Sequence, residues 1–239
     1  MDRHDRSGGL MEFRLLGAAA GGFAAAWGSL ALIHRADPAV RRSSSDLLVT
    51  GVIAGLIIGR LWAMIATGTN PLAHPGDILI VRGGVDTIAA ATTAVLVCGW
   101  FSRAALWPGL DALAPGAMFG LAGWHAGCLL RDACLGSPTG LPWGWSATPG
   151  GVDRHPVELY AALLLIAAGL AVLRLWRRHP GTGAATLAAL MTAASTRAIT
   201  EPMRPVLGAG LTASYVVVLG IVVFAGFGVW RQRHRRRQV

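Results

Sequence analysis

Three charged residues late in the chain are spaced as they would be on one face of a helix. Arg197, Glu201 and Arg204 follow one another at intervals of four and three residues, the intervals at which helical side chains meet. Two guanidinium groups around one carboxylate leave net positive charge, and a guanidinium binds phosphate oxygens through two parallel hydrogen bonds. The spacing therefore indicates a site for an anionic phosphate. The alternative is an internal ion pair, with the second arginine reaching past it to water.

Three further ionisable residues lie in or beside apolar runs. Arg60 lies near the end of one run and His125 within another. Charges in such surroundings are costly, which makes both residues candidates for a functional site. The alternatives are an arginine that snorkels to the headgroups and a histidine that is merely packed and hydrogen-bonded. Glu158 follows Pro156 at the start of a third run, where a proline in the first turn and an acid near the positive end of the dipole indicate an ordinary helix start.

The elements that position these residues are strongly apolar. Of 239 residues, 54% are hydrophobic and 14% are charged, against about 25% charged in an average soluble protein. The apolar runs continue over roughly 18–22 residues, as membrane-spanning helices require, and do not alternate over about ten as barrel strands do. The composition predicts an all-α integral membrane protein.

We predict about seven membrane-spanning helices in a single polytopic domain over residues 1–230, followed by a basic cytoplasmic tail over residues 231–239. The predicted spans are 15–33, 47–66, 87–101, 112–130, 157–176, 184–199 and 211–230.

The arginines predict the orientation of these spans. The formal charge of +9 comes from arginines without any lysine, and these lie at the ends of the apolar runs, which argues against a nucleic-acid partner. With a cytoplasmic C-terminus, twelve arginines lie inside and eight outside, with Arg60 within a span. The positive-inside rule therefore favours an external N-terminus and a cytoplasmic C-terminus. The longest external loop is then 131–156, where Trp143 and Trp145 suit the membrane interface.

The three cysteines indicate neither a disulfide scaffold nor a zinc site. Cys98, Cys128 and Cys134 are too few for a disulfide framework and lack the spacing of zinc ligands. One interpretation of Cys128 and Cys134 is that they are small apolar groups, and the sequence leaves their redox state open.

Four segments together resemble the bacterial prolipoprotein diacylglyceryl transferases. That family's external segment typically reads Arg-x-Gly-(Asn or Cys), then Gly, Pro-Thr and Pro-Trp-Gly. The corresponding residues here are His125-Ala126-Gly127-Cys128, Gly136, Pro138-Thr139 and Pro142-Trp143-Gly144.

The other three motifs follow in the family's order. The family motif Arg-His-Pro-x-Gln-Leu-Tyr-Glu resembles Arg154-His155-Pro156-Val157-Glu158-Leu159-Tyr160-Ala161, and the late Arg-carboxylate-Arg motif resembles Arg197, Glu201 and Arg204. The arginine motif of the second span resembles Gly59-Arg60-Leu61. Two departures from the family pattern bear on the chemistry. Ile88 stands where a histidine is usual, and His125 stands where the family has a phosphate-contacting arginine.

The resemblance implies the transfer of diacylglycerol from phosphatidylglycerol to the thiol of a lipobox cysteine, which forms a thioether and releases glycerol phosphate. It implies catalytic residues His125 and Glu201, and substrate-binding residues Arg60, Gly136, His155, Tyr160, Arg197 and Arg204. The implied partners are phosphatidylglycerol or another anionic phospholipid and a preprolipoprotein signal peptide, at the bacterial inner membrane. Neither a metal nor a cofactor is implied.

The missing histidine leaves two interpretations open. With Ile88 in place, the nearby imidazoles are His125 and His155, and we choose His125 as the base because desolvation within a span disfavours the charged imidazolium. The alternative function is a non-catalytic lipid-binding or assembly protein on the same fold. The costly charges of Arg197, Glu201 and Arg204 favour the transferase, because a discarded site should not keep them.

Overall fold

The structure is a computed structural model that describes residues 3–73, 75–76, 85–128, 134–146, 149–204 and 228. In this part of the chain six α-helices follow one another: α1 Arg3–Ile33, α2 Pro38–Ala66, α3 Thr87–Phe101, α4 Leu106–Cys128, α5 Val157–Arg178 and α6 Ala184–Thr200. Short 3₁₀ turns at Arg103–Ala105 and Glu201–Met203 precede α4 and follow α6. Extended pairing within the described ranges is confined to isolated bridges from Arg154 to Pro138 and Trp145.

Three of the six helices begin earlier in the chain than the sequence predicted. Helices α3, α5 and α6 begin at the predicted residues, whereas α1, α2 and α4 begin earlier. In α2 the reason is a cap, because the Asp37 carboxylate accepts hydrogen bonds from Ala39 N and Val40 N, each at 3.1 Å. An aspartate cap followed by Pro38 is a strong helix start. The seventh predicted span, 211–230, lies outside the described residues except for Gly228.

Within the described ranges, fewer helices than predicted are long and apolar enough to cross a membrane. Among the described residues, α2 and α5 are long and apolar enough to cross a membrane, and the pair Ile88–Phe101 and Arg103–Cys128, bent by 68°, raises the number to three if it forms one span. Helix α3 has 15 residues, about 22 Å of helix against a hydrocarbon core of about 30 Å. The fold is all-helical and apolar, as an integral membrane protein requires.

Small residues let the helices pack as antiparallel neighbours. On α2, Gly51, Gly55 and Gly59 face α3 so closely that an added Cβ would lie 2.7–2.8 Å from its atoms. Helix α1 packs against α4 in the same way, and a Cβ on Gly22 would lie 3.0 Å from Gly120 O. Glycine at such contacts permits the close backbone approach typical of membrane helices.

Helix α4 lies at the centre of the packing. Its buried Met118 belongs to an apolar cluster with α5 and α6, and its Leu113 belongs to a second cluster with α1, α2 and α3. Because α4 contacts both groups of helices, its last turn lies close to the start of α5 and the end of α6.

A buried carboxylate at the opposite end of α4 fixes the start of α6. Asp111 is fully buried and accepts hydrogen bonds from Gly183 N at 2.7 Å, Thr186 N at 2.9 Å and Thr186 Oγ1 at 2.6 Å. It satisfies backbone donors that the first turn of a helix leaves without partners. Nearby, the His34 ring lies edge-on to Trp176, with 4.9 Å between the ring centroids.

Candidate functional site

The ends of three helices bring five ionisable residues together. His125 lies in the last turn of α4, Glu158 in the first turn of α5 and Arg197 in the last turn of α6, while Glu201 and Arg204 belong to the 3₁₀ turn that follows α6 and its end. We call these five residues the charged cluster. The antiparallel packing places the end of α4 and the end of α6 beside the start of α5, so the cluster forms at one end of the helices.

Glu158 connects two members of the charged cluster. One carboxylate oxygen, Oε2, contacts His125 Nδ1, and the other, Oε1, accepts a hydrogen bond from Arg204 Nη1 at 2.6 Å. Glu158 is 5% exposed. A buried carboxylate is stable only where its oxygens have partners, and here an imidazole and a guanidinium supply them.

The pair predicted from the four-residue spacing is present. Arg197 Nε lies 2.7 Å from Glu201 Oε2, and the side chain of Arg197 is 43% exposed against 9% for Glu201. Arg204 Nε lies 3.9 Å from the same oxygen, too far for a hydrogen bond. Arg204 is therefore held by Glu158, and Glu201 mainly holds Arg197.

One edge of the Arg204 guanidinium carries unused donors. Its Nε and Nη2 atoms are buried and have no hydrogen-bond partner within the described part of the chain. These two nitrogens form the edge that binds carboxylate or phosphate oxygens in parallel pairs. Because unpaired buried donors are costly, this edge is suited to an anionic oxygen.

Glu158 lowers the net charge of the site below the value predicted from the sequence. Two arginines around Glu201 carry net positive charge, but the second glutamate cancels it. The protonation of His125 then decides whether the charged cluster is neutral or positive. The interpretation of Glu158 as an ordinary helix start was incomplete, because its buried side chain contacts both His125 and Arg204.

Glu158 is the site residue that the sequence reasoning missed. Its partners lie 33 and 46 residues away in the chain, so no local spacing reports them. The available signal was an acid at the second position of a long apolar helix, where the matching family motif carries a glutamine.

Gly136 lies at a crowded junction beside the charged cluster. Its N–H donates to His155 O at 2.8 Å, and an added Cβ would overlap Met203 O and Val157 Cγ2. Its carbonyl accepts a hydrogen bond from Arg154 Nη1 at 3.2 Å. Close packing therefore explains why a glycine occupies position 136. Its contact with substrate stays a prediction.

Two aromatic contacts order the segment in front of α5. Trp143 Nε1 donates to Tyr160 Oη at 2.9 Å, and the His155 ring lies edge-on to Tyr160 at 6.3 Å between centroids. His155 Nδ1 is buried without a hydrogen-bond partner within the described ranges. His155 and Tyr160 therefore adjoin the charged cluster through the first turn of α5.

Cys128 and Cys134 form a disulfide, which answers the redox question that the sequence left open. Helix α4 ends at Cys128, and the Cα atom of Cys134, six residues further along the chain, lies 5.8 Å from that of Cys128, within the range of disulfides. The bond ties the helix end that carries His125 to the segment that carries Gly136. Cys98 is free and buried.

The remaining predicted residues lie on α2 and α3. Arg60 is 5% exposed, and its neighbour Gly59 packs against the start of α3. Ile88, in the first turn of α3, is 54% exposed and has no acid–base chemistry. Arg60 remains a predicted phosphate ligand, and the imidazole in the charged cluster is His125.

The fold and the charged cluster define a class: a helical, membrane-type protein that gathers two arginines, two glutamates and a histidine at one end of its helices. The sequence profile of one family, prolipoprotein diacylglyceryl transferase, matches residues 13–231. The chain belongs to this family, which confirms the resemblance drawn from the motifs and identifies an enzyme of the diacylglyceryl transferase class.

Three relatives, each called a phosphatidylglycerol–prolipoprotein diacylglyceryl transferase, show the extent of the similarity. The protein of Chlamydia trachomatis serovar D is 28% identical over 209 residues, covering 79% of this chain and 77% of the relative. That of Bartonella bacilliformis is 26% identical over 219 residues, covering 81% and 76%. That of Solidesulfovibrio magneticus is 35% identical over 158 residues, covering 60% and 58%.

Proposed function

We propose that this chain transfers the diacylglyceryl group of phosphatidylglycerol to the thiol of a lipobox cysteine in a preprolipoprotein. The observation that carries the proposal is the charged cluster, in which a guanidinium with a free edge and an imidazole share one buried carboxylate. Family membership and the names of the relatives support the same reaction.

The phosphate of the lipid binds the free edge of Arg204. Arg197, held by Glu201, adds a second cation, and Arg60 adds a third from α2. These donors stabilise the charge that grows on the phosphate as the leaving group departs. Glu201 acts by orienting Arg197 toward the lipid.

The imidazole of His125 acts as the base for the acceptor cysteine. Its free nitrogen takes the proton of the thiol, because the thiolate is the nucleophile. The thiolate sulfur forms a bond to the glyceryl carbon while the bond from that carbon to the phosphate oxygen breaks. Glycerol phosphate leaves with the bonding electrons, and His125 releases its proton to the leaving group or to water.

The segment in front of α5 contributes to substrate binding. Gly136, His155 and Tyr160 adjoin the charged cluster, and the exposed rings of Trp143 and Trp145 suit the membrane interface. We assign this segment to contact with the signal peptide and with the lipid headgroup.

The enzyme acts at the bacterial inner membrane as a multi-pass protein. The proposed topology has seven spans, an external N-terminus and a cytoplasmic C-terminus with a basic tail over residues 231–239. This orientation places the charged cluster at the outer leaflet, where an exported preprolipoprotein presents its lipobox.

A second function has one observation in its favour. Ile88 replaces the usual histidine, which favours a protein that binds anionic lipid without transferring it. Such a protein would retain phosphatidylglycerol but leave a lipobox peptide unmodified.

A transfer assay separates these functions. The full chain in vesicles of phosphatidylglycerol with labelled acyl chains is mixed with a lipobox peptide, and mass spectrometry follows the thioether product. A peptide with serine in place of the lipobox cysteine serves as the control. Labelled thioether on the cysteine peptide alone supports the transferase, whereas retained lipid without product supports the second function.

A further inference from the structure

We infer that Glu158 is a positioning residue that fixes the proton of His125 on Nδ1 and leaves Nε2 free to accept the thiol proton. The inference rests on the proposed function. It adds to that function a residue, a tautomer and a link between the base and the phosphate site.

The contacts of the carboxylate determine the tautomer. An ionised carboxylate only accepts hydrogen bonds, so the imidazole nitrogen that contacts Glu158 Oε2 must carry a proton. That nitrogen is Nδ1. In a neutral ring the lone pair then lies on Nε2, the nitrogen on the far side of the ring from the carboxylate.

Because both side chains are largely buried, water does not readily replace Glu158 as the hydrogen-bond partner of His125. The Glu158 side chain is 7% exposed and that of His125 is 20% exposed, so water is a poor substitute for either partner. The hydrogen bond also stabilises the imidazolium that forms when His125 takes a proton, as a buried acid does for a catalytic histidine in other enzymes.

The second carboxylate oxygen connects the base to the phosphate site. Glu158 Oε1 accepts from Arg204 Nη1 at 2.6 Å, while Nε and Nη2 of Arg204 have no hydrogen-bond partner among the described residues. One carboxylate therefore sets the position of the group that removes the thiol proton relative to the group that binds the phosphate. Reacting groups held at a fixed separation lower the barrier to transfer.

Two positions in direct contact depart together from the family motifs. Histidine stands in place of the motif arginine at residue 125, and glutamate in place of the motif glutamine at residue 158. A glutamine side chain is uncharged, so it accepts a hydrogen bond from an imidazolium but does not balance its charge. The paired change supplies both a base and its charged partner in a chain that carries Ile88.

The competing interpretation is that Glu158 only neutralises Arg204. A structural partner of Arg204 would change lipid binding and stability. Its effect on the rate of transfer would not depend on His125.

The test combines Glu158→Gln with His125→Gln in the full chain, assayed for transfer in phosphatidylglycerol vesicles. We expect Glu158→Gln to lower kcat by roughly tenfold to a hundredfold, as loss of an orienting partner does elsewhere. In a His125→Gln background the same change should cost less than about threefold, since a positioning residue acts through the base.

Histidine ¹⁵N spectra of the parent chain provide a measurement that needs no folded Glu158 variant. The His125 signals, assigned by their loss in His125→Gln, should show the proton on Nδ1. His179→Gln, at the opposite end of α5, is the matched control and should leave both the signals and the rate unchanged.

Two results would overturn the inference. These are an Nε2–H tautomer and a full Glu158→Gln effect in the His125→Gln background. Each of them leaves the proposed function intact if the parent transfers lipid. A parent chain without transfer overturns the proposed function and the inference with it.

Discussion

Replacing His125 by arginine or by glutamine distinguishes a base from a phosphate ligand. Arginine restores the residue of the family motif and places a permanent cation beside Glu158, whose other oxygen already binds Arg204. It keeps a phosphate donor but removes the proton acceptor. Glutamine keeps a polar side chain with neither charge nor basicity.

The size of the expected effect follows from the role. General-base catalysis contributes roughly a hundredfold to ten-thousandfold, so both variants should lose at least about a hundredfold in transfer to the lipobox peptide. Lipid retention should differ, because the arginine variant gains a charge-assisted hydrogen bond to phosphate of about 1.5–3 kcal/mol relative to glutamine. His179→Gln controls for the loss of a histidine elsewhere.

The assay follows labelled thioether and bound phosphatidylglycerol in the same vesicles. Near-parental transfer by His125→Arg would refute the reasoning, since arginine does not act as a base at neutral pH. The position would then be a phosphate contact only.

Three further predictions follow from the site and the fold. Arg204→Lys keeps the charge but loses the guanidinium fork, so phosphatidylglycerol binding should weaken about tenfold or more from the loss of about 1.5–3 kcal/mol. Arg178→Lys, at the exposed end of α5, should bind as the parent does, and equal binding by both variants would argue against the phosphate edge. Gly136→Ala should destabilise the protein by about 1–3 kcal/mol through overpacking and lower the melting temperature, whereas Gly140→Ala meets no atom within 4 Å and should melt as the parent does. A reporter fused after Val239 should be cytoplasmic and one within 137–153 external, and the reverse pattern would remove the site from the outer leaflet.

Local patterns predicted the helices and one half of the site. Continuous apolar runs identified α3, α5 and α6 to the residue at which each begins, because a charged residue, a proline or a glycine stands directly before each start. The four-residue spacing predicted the contact between Arg197 and Glu201, since helical geometry fixes it without any knowledge of the fold. The early start of α2 was missed because it depends on the cap at Asp37.

Contacts between distant segments could not be read from spacing. The local sequence accounts fully for Glu158 as an acidic residue at a helix start. Its contact with His125 could not be predicted, because it depends on how α4 and α5 pack. The disulfide between Cys128 and Cys134 depends on where α4 ends and on where the fold places Cys134. Neither the Glu158–His125 contact nor the disulfide can be predicted from one sequence without knowing how the helices pack.

The Asp111 contact bears on the order in which the protein is assembled during synthesis. Asp111 precedes its partners Gly183 and Thr186 by more than seventy residues, so the acceptor is made before the donors that it satisfies. Helix α6 carries several threonines and Arg197, and it is a weak candidate to enter a bilayer alone. Its first turn gains its partners only by docking on α4, and Arg197, Glu201 and Arg204 follow it in the chain. The charged cluster is therefore completed late in biogenesis, and a ribosome-bound chain that stops before α6 has docked holds the imidazole and Glu158 without their cations.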